Sequence, residues 1–174
     1  MVAVLTSGVK AQGNLKINWV TTLASSTAVT LTEINAGVDL SCYIMADGWA
    51  PSIDQARGTT PARLCTTTQF EQFGNSVYSL GDLRYSWGPQ SAAASDPLEA
   101  WEALVPGTNG YFIERQGLNA VSDSWTAGEF VNIWPVTLGN RLSAGDTTDE
   151  FAEFVVTQGV IVTNTVTQKF AITS

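Results

Sequence analysis

The chain has 174 residues, no histidine, and a formal net charge of −8 from 16 acidic and 8 basic side chains. Lacking histidine, it lacks the commonest general base, triad partner and metal ligand in one stroke. The acid excess argues against a protein that grips nucleic acid, because such proteins set lysine and arginine against phosphate, and its plain reading is solubility.

The length fits a single domain, residues 1–174, and 44% apolar residues are enough for a folded core. Residues 1–13 read as an N-terminal arm with one short apolar run. No basic stretch followed by a long apolar core occurs there, so neither a signal peptide nor a membrane span is expected. From Asn14 to Val20 polar and apolar residues alternate, which predicts a half-buried strand with Leu15, Ile17 and Trp19 facing inward. A short helical turn is expected near Thr32 to Ala36, ended by Gly37.

Residues 44–61 show no sustained periodicity and read as a long loop carrying Trp49, Pro51, Ile53, Asp54 and Arg57. Loops of that length in compact domains either bind something or are disordered, and the apolar Trp49 and Ile53 favour binding. The alternative is a loop folded back so that Trp49 is buried in its own domain. Ala62 to Phe73 alternates as a strand, Gly74 and Asn75 as a hairpin turn, and Val77 to Trp87 as the return strand with Gly81 at a bulge.

Asp96 as cap, Pro97 at the first helical position and Glu99 at capping-box spacing start a helix that Pro106 and Gly107 stop. Leu98, Trp101, Leu104 and Val105 recur at helical spacing and are expected to pack on a sheet. Further strands are predicted at 110–115 and at 129–138. The latter is apolar on both faces, so it needs two partners, the core and either a second layer or a neighbouring subunit. A last hairpin is expected from Glu150 to Thr157 and Val160 to Ala171, turning at Gln158 and Gly159. Many short strands and few helical segments make the chain mainly β, a sandwich or barrel with one flanking helix.

Catalytic chemistry finds little support. Glu99 with Glu102, and Glu150 with Glu153, are carboxylate pairs, but Glu99 has a capping role and the second pair would point to opposite faces of a strand. No phosphate-cradling glycine loop or nucleophile elbow is present, and Lys10, Lys16 and Lys169 have no motif around them. The run Asp146 to Glu150 lacks the ligand rhythm of a calcium loop and reads as a solvated turn. Cys42 and Cys65 are expected to be reduced and partly buried, and no cofactor or metal is expected. Six tryptophans raise a second reading, a carbohydrate-binding β-sandwich that stacks sugars on exposed Trp49, Trp125 and Trp134.

Leu31 to Ile44 (LTEINAGVDLSCYI), the loop around Gly48 and Trp49, the strands through Leu64 to Tyr85 and the valine- and threonine-rich ending together carry a resemblance. The whole chain resembles the major tail (tail tube) proteins of long-tailed bacteriophages, especially those of actinobacterial hosts. The resemblance implies a structural virion protein, not an enzyme: a β-sandwich with a flanking helix, six copies to a ring, and stacked rings forming the conduit for DNA ejection. It implies as partners the chain itself and other tail proteins such as the tape measure and tail terminator, with assembly in the host cytoplasm and DNA passing without specific binding. Mapped here, the loop 44–61 and the arm 1–13 become contacts between rings, and 62–87 with 150–171 become candidates for the inner sheet. Glu71, Asp82, Glu150 and Glu153 are the candidate lumen acids, since an acidic bore does not hold DNA.

Overall fold

A computed structural model describes residues 8–174, so Met1 to Ser7 of the predicted arm lie outside the described residues. In chain order the elements are β1 (Leu15–Val20), α1 (Leu31–Asn35), β2 (Val38–Asp39), β3 (Ser52–Thr59), β4 (Glu71–Ser79) and β5 (Asp82–Ser86). They continue as α2 (Asp96–Ala103), β6 (Asn109–Gln116), β7 (Phe130–Ala144), β8 (Val155–Val162) and β9 (Thr167–Ala171). Strands dominate as expected, and the two helices fall at the expected short turn near Thr32 to Ala36 and at the helix started by Pro97.

Seven strands form an antiparallel sheet in the order β2-β1-β6-β7-β8-β5, with β9 also paired to β7. The fifteen-residue β7 is the spine. One of its edges takes β6, while the other takes β9 near Phe130–Ile133 and then β8 from Val136 to Ala144. The sheet curls into a half-barrel, and the chain between β2 and Gly48 bridges its two edges. Val38 and Asp39 pair with β1, and a few residues on Met45 N–H donates to Arg84 O at 2.9 Å while Ser86 N–H donates to Tyr43 O at 2.9 Å. Gly48 fits against β5 because it has no side chain: a Cβ there would lie 2.2 Å from Arg84 O.

Residues from both sheet edges, Ile17 and Trp19 on one side and Leu83 and Tyr85 on the other, meet in one buried cluster with Phe112, Trp134 and Leu138. That cluster is the inside of the curl. Helix α2 contributes Ala100 and its C-cap residue Leu104 to it, and Trp87 stacks on Trp101 at 4.2 Å between ring centroids. A second cluster lies outside the curl, where α1, the loop before it, Trp125 from the loop between β6 and β7 and the C-terminal Ile172 cover Ile113, Val131 and Ile133. The two apolar faces of β7 thus find both partners within the same chain.

Several predicted elements move. β1 is buried on both faces, since Lys16 and Asn18 are as enclosed as Ile17 and Trp19. Lys16 pairs with Asp39 at 3.2 Å and Asn18 Nδ2 donates to Ile34 O at 3.1 Å, which offsets part of the cost of burial, while Asn18 Oδ1 is left without a partner among the described residues. The N-cap of α2 is Ser95 rather than Asp96, with no side-chain cap bond, and Glu99 instead accepts from the Tyr43 hydroxyl at 3.0 Å. Burial of that hydroxyl, then the Glu99 contact, push the Tyr43 pKa up to about 12. A true capping box belongs to α1, where Thr30 and Glu33 exchange bonds, a Thr-x-x-Glu signal present in the sequence but unread.

The largest correction concerns residues 44–79. Ser52–Thr59, expected within a loop, is a strand paired with β4, whereas Ala62 to Phe70 is the connecting loop. Gly74 and Asn75 lie inside β4 at a register shift opposite Ala56, so the glycine marks a bulge and not the turn. The threonine-rich Thr66 to Thr68 has strand propensity but meets only a local bridge from Thr66 to Arg63 and no partner strand among the described residues, which is why propensity misleads there. Likewise Gln158 and Gly159 lie inside a continuous β8, not at a turn. Gln158 is fully buried, its Nε2 donating to Leu104 O and Gly139 O, and its Oε1 accepting from Tyr85. β9 consequently pairs with β7 rather than folding back on β8, and Glu150 and Glu153 sit in an exposed loop instead of a strand.

Candidate functional site

With its core satisfied internally, the chain still presents three surfaces that none of the described residues covers. The first is the β3–β4 hairpin. Every residue from Pro51 to Thr59 and from Pro61 to Val77 is exposed, and the two strands pair only with each other among the described residues. Cross-strand partners share a face, so Ile53 with Tyr78 and Arg57 with Phe73 lie on one side. Ile53, Phe73 and Val77 are 56%, 68% and 65% exposed, and Arg57 covers the Phe73 ring at 5.4 Å. A two-stranded ribbon with open edges and exposed aromatics is marginal alone and available for pairing.

The root of the hairpin is firmly held. Tyr78 meets Trp134 edge-on at 6.3 Å, and Leu80 is buried. On the entering side Trp49 packs edge-on against Phe112 and Trp134, and its Nε1 donates to Glu114 Oε1 at 3.3 Å. The Glu114 carboxylate, itself buried, also accepts from Gln116 Nε2, Asn132 Nδ2 and Trp134 Nε1. Four neutral donors so arranged stabilise the carboxylate in place of a cation. Of the residues predicted for loop 44–61, Trp49 therefore points into its own domain, while Pro51, Ile53, Asp54 and Arg57 are exposed.

The second surface is the outer side of β5, β8 and the far half of β7. Alternate residues bring Asp82, Arg84, Thr157, Leu142 and Ile161 to it, opposite the inward Leu83, Tyr85, Val156 and Gln158. Its one arginine, Arg84, is paired with Asp47. The third is the loop after β7, where Phe151 and Phe154 stand exposed beside Asp146, Asp149, Glu150 and Glu153. Bonds from the Thr148 hydroxyl and backbone hold the Asp146 carboxyl below its ordinary value. Glu71 begins β4 on the hairpin, so the four candidate lumen acids do not share one face: only Asp82 lies on the sheet.

The tryptophans offer no platform for sugars. Trp125 and Trp134 are buried, against the expectation of exposure, and the Lys16 ammonium and Arg115 guanidinium both lie over the Trp125 ring. Cys42 and Cys65 are free, and both are exposed rather than partly buried.

A curled β domain with its core satisfied within, carrying an exposed two-stranded hairpin and an uncovered stretch of sheet, has the surfaces of a structural subunit. The chain belongs to the phage tail tube protein family, whose model matches residues 4–173, essentially its whole length. No curated protein matches it. Membership makes it a structural component of the virion tail, in a family that builds a tube together with other tail proteins.

Proposed function

We propose that copies of this single domain close into six-membered rings and that the rings stack into the tube through which DNA leaves the virion. The observation that carries this reading is the uneven cover of the outer sheet. Its β1–β6 side is buried by α1 and the C-terminal residues, while its β5–β8 side stays bare. In the tube the bare side faces the bore and Asp82 is its lumen acid. With Arg84 paired and a net charge of −8, such a wall repels phosphate rather than holding it, so DNA slides.

The hairpin, through Pro51, Ile53, Asp54 and Arg57, and the arm 1–13 are assigned to contacts between rings, with Trp49 setting the hairpin root from within. Glu71, Glu150 and Glu153 lie on projecting parts and are assigned to those contacts rather than to the sheet face. The tape measure occupies the bore before ejection, the terminator closes the end of the tube, and the parts assemble in the host cytoplasm. Negative-stain electron microscopy of the purified protein tests the reading. Stacked rings with six-fold end views are expected, and a protein that stays monomeric at every concentration overturns it.

A further inference from the structure

An open strand edge is a template for further strands, so a sheet that stays dispersed has its edges covered or bent. A single stretch of this chain covers two of them. Val38 and Asp39 pair with β1, and Leu40 N–H donates to Ile17 O at 2.8 Å. A few residues later the same stretch lies along β5, where Met45 N–H donates to Arg84 O, Arg84 N–H to Gly48 O and Ser86 N–H to Tyr43 O.

β9 is treated differently. Among the described residues Thr167–Ala171 pairs on one side only, with β7. Backbone cover on its other side begins after the strand has ended, where Thr173 N–H donates to Val29 O and Leu31 N–H to Thr173 O. Within the strand the backbone itself departs from regular pairing. Val131 pairs with Phe170 and Ile133 with Thr167, so Gln168 and Lys169 together stand opposite Asn132.

Lys169 has a φ of 54°, and Ala94 is the one other non-glycine with a positive φ among the described residues. A lysine enters that left-handed region against a clash of its own Cβ, so the kink persists because its surroundings hold it. Asn132 Oδ1 accepts the Lys169 N–H at 3.0 Å, and Asn132 Nδ2 is anchored on the buried Glu114 carboxylate. The exposed Lys169 ammonium lies 5.2 Å from the centre of the Phe130 ring, which is 55% exposed. The bulge therefore bends this edge and sets a charge over the apolar group beside it.

Packing does not demand the extra residue. Phe170 belongs with Val131 and Ile133 to the cluster outside the curl, and Val166 belongs to the one inside it. With Lys169 removed, Gln168 alone would face Asn132, and alternation along the strand would keep both assignments.

We infer that the Lys169 bulge guards the β9 edge, keeping it from taking a strand of a second copy and so confining self-association to the other surfaces of the chain. The inference goes beyond the tube reading, since it concerns a contact that copies do not make. Charged side chains, lysine above all, and bulges are the devices that blunt an edge against such pairing, and both coincide at this residue.

Straightening the edge tests it. One variant lacks Lys169, a second is K169V, whose branched side chain resists positive φ and carries no charge, and a third, K169G, keeps the kink without the charge. The first two are expected to melt cooperatively yet to form non-tubular aggregates that bind thioflavin T, with a pelleted fraction several-fold above that of the wild type. K169G is expected to stay near the wild type, because the kink survives in it. Straightened variants as dispersed as the wild type, or a K169G chain that aggregates as strongly as they do, overturn the inference. Straightened variants that no longer melt cooperatively overturn it as well, since the bulge then serves the fold of the subunit. A wild type that never forms tubes overturns the tube reading alone, because the guard is read from aggregation of the variants relative to the wild type.

Discussion

Trp49 donates its indole N–H to the buried carboxylate of Glu114 at 3.3 Å, tying the segment that leads into the exposed hairpin to a strand at the centre of the main sheet. The same carboxylate takes the Trp134 indole N–H at 2.9 Å. One side chain therefore joins the hairpin root to the core, and it does so with hydrogen bonds that an amide cannot all reproduce.

Glu114→Gln replaces one acceptor oxygen by a donor, leaving at least one of the four N–H groups facing another N–H. A loss of about 1–3 kcal/mol in urea unfolding is expected, as for any buried donor left without a partner. Trp49→Ala goes further, because it also removes an aromatic packed on Phe112 and Trp134. Its expected loss is about 3 kcal/mol in the isolated subunit, in addition to impaired assembly. A subunit of unchanged stability would place Trp49 outside the core after all.

Shortening the hairpin separates assembly from folding. Replacing residues 54–77 by a two-residue turn keeps the Ile53–Tyr78 pair and the Tyr78 contact with Trp134, while deleting residues that contribute nothing to either buried cluster. The shortened chain should melt cooperatively near the wild-type temperature and sediment as a monomer under conditions where the full chain polymerises. A collapse of the melting transition would mean that the hairpin stabilises the domain.

Gly110 lies against Trp19, and a Cβ there would stand 2.5 Å from the ring. Gly110→Ala must push that fully buried indole off its rotamer or displace β6, at a cost of about 1–3 kcal/mol. Gly58→Ala, where the Cβ meets open space, is the control and should change the chemical-denaturation midpoint very little.

Glu33 gives a pH signature. Its pKa is lowered by backbone bonds from Ala24 and Thr30 and by the Thr30 hydroxyl. A carboxyl depressed in the folded state contributes stability at pH values above its ordinary value of 4.5 and loses that contribution as pH falls through the lower folded value. Glu33→Gln should therefore be less stable than wild type at pH 7, and the difference should shrink below about pH 4. A stability gap independent of pH across that range would exclude the ionised cap.

Class, several strands and the positions of both helices were legible in the sequence itself. Alternation located β1, the apolar run located β7, and Pro97 located α2, because each of these signals reports a local preference or a face turned toward the core. The exposure of β3 was illegible for the converse reason. A ribbon wet on both sides has no period of two, so Ser52–Thr59 looked like a loop and Glu71–Ser79 was given the wrong partner. Nor does composition tell a glycine in a bulge from one in a turn, as Gly74 shows, or reveal that Gln158 belongs inside a strand when its partners are the distant Leu104, Gly139 and Tyr85. The sequence by itself determined how much apolar surface had to be buried and in which short segments; only tertiary structure decided which strands met, because pairing and the satisfaction of buried polar groups depend on residues far apart in the chain.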